Sequence, residues 1–324
     1  MSLDVLRKFA FEGKLREPPG PLPSVPVEAS VLRGPATDGW RVTWLGHSTN
    51  LVEVGGRRVL LDPVWSERAS PVTWAGPRRF QPVPIAIDEL PKLDAVLVSH
   101  DHYDHLDHRT VVALAQRGVT IVTALGVGAR LESWGVPAAQ IRELDWWQEE
   151  SLGGVTFKAL PARHFSGRGL GDRDRTLWAS WAIEANGQRL FFGGDGGMDE
   201  SAFAAIGEKV GAFDLTMLEI GAFDRSWEQI HLGPDNAVKA HELLRGKVLL
   251  PVHWGTFDLG LHRWDEPGEE LLVAAQRAGT TIALPRIGES VAAGRPLPGG
   301  AWWRATGKSE DLPHPLADAA GRGV

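Results

Sequence analysis

Residues 99–105 carry a dense group of side chains that could bind metal ions. They read Ser-His-Asp-His-Tyr-Asp-His and contain the spacing His-x-His-x-Asp-His at His100, His102, Asp104 and His105. In extended chain, side chains at positions i and i+2 point the same way, so His100 and His102 can share one ion. Asp104 and His105 follow where the chain turns towards a helix, and they can reach a second ion. The strand–loop–helix context argues against a mere surface cluster of histidines. The motif therefore predicts a two-metal site.

Three more candidate ligands follow short apolar strands elsewhere in the chain. His164, Asp195 and His253 come directly after the predicted strands at 155–160, 189–192 and 248–252. Ligands in α/β proteins usually bind at the carboxyl ends of strands. We expect one ion to be held by His100, His102 and His164, and the other by Asp104, His105 and His253, with Asp195 bridging them. This arrangement leaves each ion a position for solvent, as a catalytic site requires.

The composition limits the chemistry of such a site. The 324 residues include 11 His and no Cys, which excludes disulfides, thiolate ligands and cysteine nucleophiles. Imidazole and carboxylate ligands make two Zn²⁺ ions the first expectation, with Fe and Mn also compatible. A formal net charge of −7 argues against a general nucleic-acid surface. The chain shows no signal-peptide core and no membrane-spanning apolar run, so a cytoplasmic location is expected.

The elements that must position these residues follow from the hydrophobic pattern. Hairpin signals come first and strand–helix alternation comes later, which favours a mixed sheet covered by helices. Strands are predicted at 41–45, 50–54, 57–61, 93–98, 119–123, 155–160, 177–184, 189–192, 214–218, 248–252 and 281–284. Helices are predicted at 1–16, 108–117, 198–210, 234–245 and 266–278. We expect an N-terminal segment and Pro-rich linker at 1–39, one folded domain at 40–291 and an irregular tail at 292–324.

Several longer segments resemble a known family. They are WLGHST at 44–49, LDPVWSERASPVTWAGPRRF at 61–80, LDAVLVSHDHYDHLD at 93–107, ELDWWQEE at 143–150, RHFSGR at 163–168, GGDGG at 193–197 and HWGTF at 253–257. Their types and order resemble the metallo-β-lactamase superfamily, and within it the branch of phospholipases D that hydrolyse N-acyl-phosphatidylethanolamine. The resemblance implies an αββα sandwich of two mixed sheets flanked by helices. It also implies a zinc-dependent phosphodiesterase whose metal ligands are the seven residues named above.

The resemblance further assigns catalytic roles. A histidine of the family's active site matches His231, and we expect catalytic residues at Asp104, Asp195 and His231. In the implied mechanism a hydroxide bridging the two ions attacks phosphorus and Asp195 orients it. Either His231 or a solvent molecule held by the second ion assists the leaving group. Asp62 is expected to support a metal ligand rather than bind metal. His47 is expected either to line the floor of the pocket or to serve the scaffold alone.

Some alternatives stay open from the sequence. Relatives with similar motifs include lactonases, so a lactonase or another carbonyl hydrolase is the main alternative; a non-catalytic metal-binding scaffold and a di-iron oxidoreductase are disfavoured. The expected substrate is a small or lipid-like phosphodiester, with no nucleic acid, and a peripheral membrane contact and the oligomeric state are left open. The loop at 63–84 could cover the pocket, with Arg78 and Arg79 meeting a phosphate. Its large apolar residues, Trp65, Trp74 and Phe80, could contact an acyl or aromatic group of the substrate or could instead anchor the loop.

Overall fold

The structure, a computed structural model, describes residues 13–224, 227 and 229–306. Most of the helix predicted at 1–16 lies outside these residues, and within them a short helix α1 covers Gly13–Arg16. The other α-helices of this part of the chain are α2 Ala29–Arg33, α3 His108–Gln116, α4 Val127–Ser133, α5 Glu200–Lys209, α6 Gly233–Leu243 and α7 Glu266–Ala278. No helix among the described residues is long and apolar enough to cross a membrane.

The strands form two sheets. The first sheet contains β1 Trp40–Gly46, β2 Thr49–Val54, β3 Arg57–Leu61, β4 Ala95–Val98, β5 Thr120–Ala124, β6 Ile141–Leu144 and β13 Ser290–Ala292. Its order is β13-β1-β2-β3-β4-β5-β6. The second contains β7 Glu149–Leu152, β8 Val155–Leu160, β9 Ser180–Ala185, β10 Gln188–Phe192, β11 Leu215–Glu219 and β12 Leu249–Val252. Its order is β12-β11-β10-β9-β8-β7.

Both sheets are mixed. In the first, β13, β1, β2 and β3 pair antiparallel, and β3 to β6 pair parallel. In the second, β7 to β10 pair antiparallel, and β10 to β12 pair parallel. The hairpins predicted early and the alternation predicted late therefore belong to the antiparallel and parallel parts of the two sheets.

Two hydrophobic cores separate four layers. The larger core lies between the sheets and under α5, α6 and α7, and the smaller lies between the first sheet and α3 and α4. The strand β4 shows why its sequence is continuously apolar: Leu97 belongs to the larger core, whereas Val96 and Val98 belong to the smaller one. A strand buried on both faces has no polar side to show. The expected αββα sandwich is confirmed.

The differences from the predicted elements have physical causes. Residues 281–284 are not a strand: the segment pairs with β12 only at Ile282, through two hydrogen bonds to Leu249. The sequence did not reveal β6, β7, β13 or α4. The edge strand β7 is half exposed and carries Glu149 and Glu150, so it lacks the apolar pattern by which a strand is found.

The topology gathers many strand ends at one edge of the sandwich. In the first sheet β1, β3 and β4 run in the same direction, because β1 and β3 are both antiparallel to β2 and β4 is parallel to β3. In the second sheet β8, β10, β11 and β12 also share a direction. Loops that leave the carboxyl ends of these strands therefore converge, and the predicted metal ligands lie on them.

Candidate metal centre

The first predicted group of ligands comes together as one cluster. His100 and His102 follow β4, and His164 follows β8. Nε2 of His100 lies 2.9 Å from Nδ1 of His102, and Nε2 of His164 lies 3.3 Å from the same atom. Together with a carboxylate oxygen of Asp195, these nitrogens lie within 4.8 Å of one another. One ion can be held between them.

The second predicted group also comes together, and it includes one more residue. Oδ2 of Asp104 lies 3.2 Å from Nε2 of His253 and 3.4 Å from Nε2 of His105. Nε2 of His47, at the end of β1, lies 2.9 Å from the same oxygen. His47 therefore belongs to the second cluster, whereas the sequence left its role open between the pocket floor and the scaffold.

Asp195 lies between the two clusters. Its Oδ2 atom is 3.0 Å from Nε2 of His105 and 3.1 Å from Nε2 of His253, both in the second cluster. The same oxygen is 3.9 Å from Nε2 of His100 and of His164 in the first. A carboxylate in this position can contribute to both sites; that Asp195 bridges two ions stays a prediction.

The hydrogen bonds around the clusters leave lone pairs directed inward. Nδ1 of His164 lies 2.9 Å from the carbonyl oxygen of Ile230, and Nδ1 of His105 lies 2.6 Å from Asp62. Each of these acceptors requires a proton on Nδ1, so Nε2 of both rings is an unprotonated nitrogen when the ring is neutral. Metal-binding histidines commonly donate their other N–H to a carboxylate or carbonyl in this way.

Four buried atoms of the clusters have no hydrogen-bond partner in the described structure. They are Nε2 of His105, Oδ1 of Asp195, and Nδ1 of His47 and of His253. A buried polar atom without a partner costs about 1–3 kcal/mol. A divalent cation would satisfy Nε2 of His105 and Oδ1 of Asp195, and the all-imidazole-and-carboxylate donor set suits Zn, Mn or Fe. The residues present therefore fit a pair of metal ions.

The electrostatics of the clusters also favour cations. Burial lowers the pKa of His253, but Asp195, Asp104 and Glu219 outweigh this effect and raise the pKa to about 10. Burial raises the pKa of Asp104 and Asp195, but the surrounding histidines outweigh it and hold both well below their usual range. Burial and His253 lower the pKa of His47 to about 3, so its ring is neutral. Buried carboxylates stay ionised here because positive charge is nearby.

Asp62 forms hydrogen bonds with the metal-binding motif and contacts the candidate ligand His105, in line with the supporting role expected for it. It lies just after β3 and is fully buried. Its carboxylate accepts hydrogen bonds from the backbone N–H of Ser99 at 2.7 Å, from Oγ of Ser99 at 2.6 Å and from Nδ1 of His105. This network fixes the orientation of the His105 ring and the start of the motif.

His231 lies beside both clusters and is held by a residue that sequence reasoning missed. Its ring centroid is 5.4 Å from that of His164 and 5.3 Å from that of His253. Nδ1 of His231 lies 2.6 Å from Oε2 of Glu219, a buried residue at the end of β11. The other oxygen of Glu219 accepts from the backbone N–H of Gly196 at 2.7 Å. Asp195 was selected because ligands usually bind at the carboxyl ends of strands. Glu219 ends β11, so the same argument could have identified it.

The loop at 63–84 is anchored by most of its large side chains. Trp65 donates its indole N–H to the carbonyl of Ile85, and Phe80 packs on the larger core. Arg78 pairs with Glu67, and Arg79 donates to the carbonyls of Val64 and Ser66. The two arginines suggested for a phosphate are thus engaged within the loop. Trp74 alone among these aromatic residues is 80% exposed.

Comparisons with known proteins agree with the fold. An uncharacterised protein of Mycobacterium tuberculosis is 49% identical over 292 residues, which cover 89% of this chain and 77% of that protein. The N-acyl-phosphatidylethanolamine-hydrolyzing phospholipase D 1 of Caenorhabditis elegans is 38% identical over 72% of this chain and 69% of its own. The metallo hydrolase Igni18 of Ignicoccus hospitalis superposes with a TM-score of 0.60 at 22% identity, over 78% of this chain and 97% of that one.

The family follows from the sequence itself. The model of the family described as the beta-lactamase superfamily domain matches residues 57–254, a range that runs from the start of β3 to just beyond His253. This range is more than half of the chain and contains all seven predicted metal ligands. The protein therefore belongs to the beta-lactamase superfamily.

Proposed function

We propose that the protein is a two-metal hydrolase that cleaves phosphodiesters in the manner of a phospholipase D. The observation that carries the hydrolase proposal is the convergence of seven predicted ligands into two clusters that share Asp195. His100, His102, His164 and Asp195 would hold one ion. The other would be held by Asp104, His105, His253 and Asp195. Zinc is the first choice for both ions.

Bound divalent ions at such sites supply Lewis acidity, which stabilises charge on phosphoryl oxygens and makes water a stronger acid. The protein's own groups then orient the reactants. Oδ1 of Asp195 is buried without a partner and can accept a hydrogen bond from the attacking water. Because Nδ1 of His231 is committed to Glu219, its Nε2 atom is the one that can give a proton to the leaving alkoxide. The products are a phosphomonoester and an alcohol.

The substrate class rests on sequence similarity rather than on the ligands. The relative from C. elegans is named for hydrolysis of N-acyl-phosphatidylethanolamine, and its similarity covers 72% of this chain. The same metal chemistry would also act on a carbonyl, so a lactone is the natural competing substrate. Phosphodiester hydrolysis is the function that the similarity supports best.

The test is metal analysis combined with parallel assays of an aryl phosphodiester and of sugar and acyl-homoserine lactones. We expect about two metal ions per chain and turnover of the phosphodiester. The variants His102→Ala, Asp104→Ala and Asp195→Ala should each lower kcat/KM by about 10³-fold or more, since each removes a ligand. Asp235→Ala is a matched control, because Asp235 is an exposed aspartate that only pairs with Arg277.

Two results would contradict the proposal in different ways. Turnover of lactones without any phosphodiesterase activity would overturn the substrate class but leave the metal hydrolase. Unchanged phosphodiesterase activity in all three ligand variants would overturn the two-metal mechanism itself.

A further inference from the structure

A second feature of the protein is a cleft on the outer side of the metal-binding motif. It has a volume of about 540 Å³, and its walls come from the loop at 66–73, the start of α3, α4 and the loop at 168–172. Tyr103, which stands between the candidate ligands His102 and Asp104, forms part of its lining. Its charged lining residues are Glu67, Arg68, Asp107, Arg109, Arg130, Arg168 and Asp172.

The acidic residues of the cleft are engaged by neighbouring donors. The carboxylate of Asp107 accepts hydrogen bonds from the backbone N–H of Trp65 and of Ser66. Asp172 accepts from Arg130 and from the backbone N–H of Gly169, each at less than 3 Å. Glu67 pairs with Arg78, which is not part of the lining. Little uncompensated negative charge therefore faces the cleft.

Three of the four arginines are not compensated in this way. Within residues 13–224, 227 and 229–306, Arg68, Arg109 and Arg168 form no ion pair with a carboxylate. Arg68 donates only to the carbonyl of Gly76, and the side chain of Arg109 makes no hydrogen bond within this part of the chain. A cleft that holds three guanidinium groups without carboxylate partners is an anion-binding environment.

Arg168 shows that this arrangement is built into the fold. Its Nη1 atom donates to the carbonyls of Asp101 and Leu106, both at 2.7 Å, and thereby ties the two ends of the metal motif together. Its guanidinium carbon lies 3.8 Å from the centroid of the Tyr103 ring and 5.2 Å from that of Trp134. Burial lowers the pKa of Arg168. Within the described residues Nε and Nη2 of Arg168 donate no hydrogen bond, so this half-buried cation keeps one edge of its guanidinium for an anion. Arg79 differs, because it uses both of the corresponding nitrogens on carbonyls.

We propose that this cleft binds a phosphate-type anion through Arg68, Arg109 and Arg168, at a site separate from the two metal clusters. Arginine forms bidentate hydrogen bonds with phosphate oxygens. The site is distinct from Arg78 and Arg79, whose guanidinium groups are engaged within the loop. If the protein is the phosphodiesterase proposed above, the site would take a second anionic group of its substrate; the binding itself does not depend on that activity.

The anion could be free or part of a lipid headgroup, and the rim of the cleft makes both sources worth testing. Trp74 follows Thr73 of the lining and is 80% exposed, and Leu170 follows Gly169 and is fully exposed. Two exposed apolar side chains beside a basic cleft suit an anion that carries an apolar tail as well as a free one.

The experiment measures phosphate binding with and without the arginines. Inorganic phosphate is titrated by calorimetry into the protein and into the variants Arg109→Gln and Arg68→Gln/Arg109→Gln. Each titration is repeated in the His102→Ala/Asp195→Ala background, which lacks a ligand of each ion, to remove binding at the metal centre. Arg109 is exposed in the first turn of α3, so its replacement leaves the fold intact. In both backgrounds we expect the double variant to bind the cleft-bound phosphate about tenfold more weakly or worse.

Vesicle sedimentation provides the second arm. Phosphatidylcholine vesicles with and without phosphatidic acid present the same phosphate chemistry on a lipid surface. Arg245→Gln/Arg295→Gln, which replaces two exposed arginines outside the cleft, is the matched control for net charge. Weaker binding of the Arg68→Gln/Arg109→Gln variant in either arm, relative to this control, supports the site and identifies its source. Equal binding of the double variant and the control in both arms overturns it. Because the titration is also made in the His102→Ala/Asp195→Ala background, failure of the hydrolase proposal would not remove this result.

Discussion

Replacing Glu219 by Gln tests whether His231 acts as an oriented catalytic group. Glu219 accepts from Gly196 N–H through one oxygen and contacts Nδ1 of His231 through the other, at 2.6 Å. A glutamine of the same volume would keep its carbonyl on Gly196 and turn its NH₂ towards His231. The histidine would then have to accept at Nδ1, whereas a ring that donates from Nδ1 to Glu219 and gives a proton from Nε2 carries protons on both nitrogens. The substitution therefore removes the acceptor that this acid form requires, without opening a cavity.

The expected magnitude follows from the bond that is lost. A hydrogen bond to a charged group contributes about 1.5–3 kcal/mol, which corresponds to roughly 10- to 100-fold in rate. Removing the general acid altogether costs about 10²- to 10⁴-fold. We therefore expect Glu219→Gln to lower kcat for an aryl phosphodiester by about 10- to 100-fold, and His231→Ala to lower it further. The loss should be larger for phenyl than for p-nitrophenyl esters, because the poorer leaving group needs the proton more.

A double variant separates this role from a structural one. If Glu219 acts through His231, adding Glu219→Gln to His231→Ala should cost nothing more. Metal content must be measured in parallel, because Oε2 of Glu219 also lies 3.8 Å from Nδ1 of the candidate ligand His253. Glu143→Gln is the matched control, since Glu143 also accepts a backbone N–H, that of Gly128. Fully additive losses, or a loss of metal that accounts for the whole effect, would refute the reasoning.

Three further predictions concern the metal clusters and stability. His47→Ala removes the neutral donor 2.9 Å from Asp104, so metal affinity measured by chelator competition should fall about 10- to 100-fold, with activity recovering at high metal. Chelation should lower the thermal unfolding midpoint, measured by calorimetry, by several degrees. Ions that bind only the folded state stabilise it by about 2.7 kcal/mol at a concentration of 100 times Kd. A His102→Ala/Asp195→Ala variant should show no such shift. Burial lowers the pKa of His241 to about 4, so the unfolded chain takes up its proton first as the pH falls below about 6.5. The free energy of unfolding of the metal-free protein, measured by denaturation at pH 7 and at pH 4.5, should therefore decrease by about 2–3 kcal/mol less in His241→Gln than in the unchanged protein.

Much of the site could be predicted from the sequence because ligands usually lie at the carboxyl ends of strands. His164, Asp195 and His253 are far apart in the chain, and each could be selected because it follows a short apolar strand. Strands that are buried on both faces, such as β4, can be recognised in the sequence as continuous apolar runs. The family resemblance then supplied the two-sheet architecture, which pattern alone reduced only to a mixed sheet covered by helices.

Two features of the protein could not be predicted from the sequence, because each depends on contacts between distant segments. The role of His47 follows from its distance to Asp104, and nothing local to WLGHST indicates that pairing. The basic cleft is equally hidden, since Arg68, Arg109 and Arg168 lie on three separate segments. The sequence favoured Arg78 and Arg79 as phosphate ligands because they are adjacent. In the structure Arg78 pairs with Glu67, and Arg79 donates to backbone carbonyls.

The backbone at the metal centre suggests what the many tryptophans contribute. His47, Asp62 and His253 adopt φ angles of 51°, 38° and 62°, which non-glycine residues adopt at a cost of about 1–3 kcal/mol each. Glycine would relieve this strain but would remove an imidazole or a carboxylate, so the surrounding structure must hold these turns. Trp44 donates its indole N–H to the carbonyl of His47, and its ring stacks on Trp254, the neighbour of His253, at 5.9 Å.

The same two turns are joined directly, since the backbone N–H of His253 donates to the carbonyl of His47 at 3.1 Å. Trp303, from the last described turn of the chain, packs edge-on against Trp254 at 5.1 Å and is fully buried. The aromatic cluster thus braces a strained pair of turns that come from different sheets. Three of the 14 tryptophans thus support the metal centre, because a ligand set assembled from both sheets keeps its geometry only if the sheets cannot shift against each other.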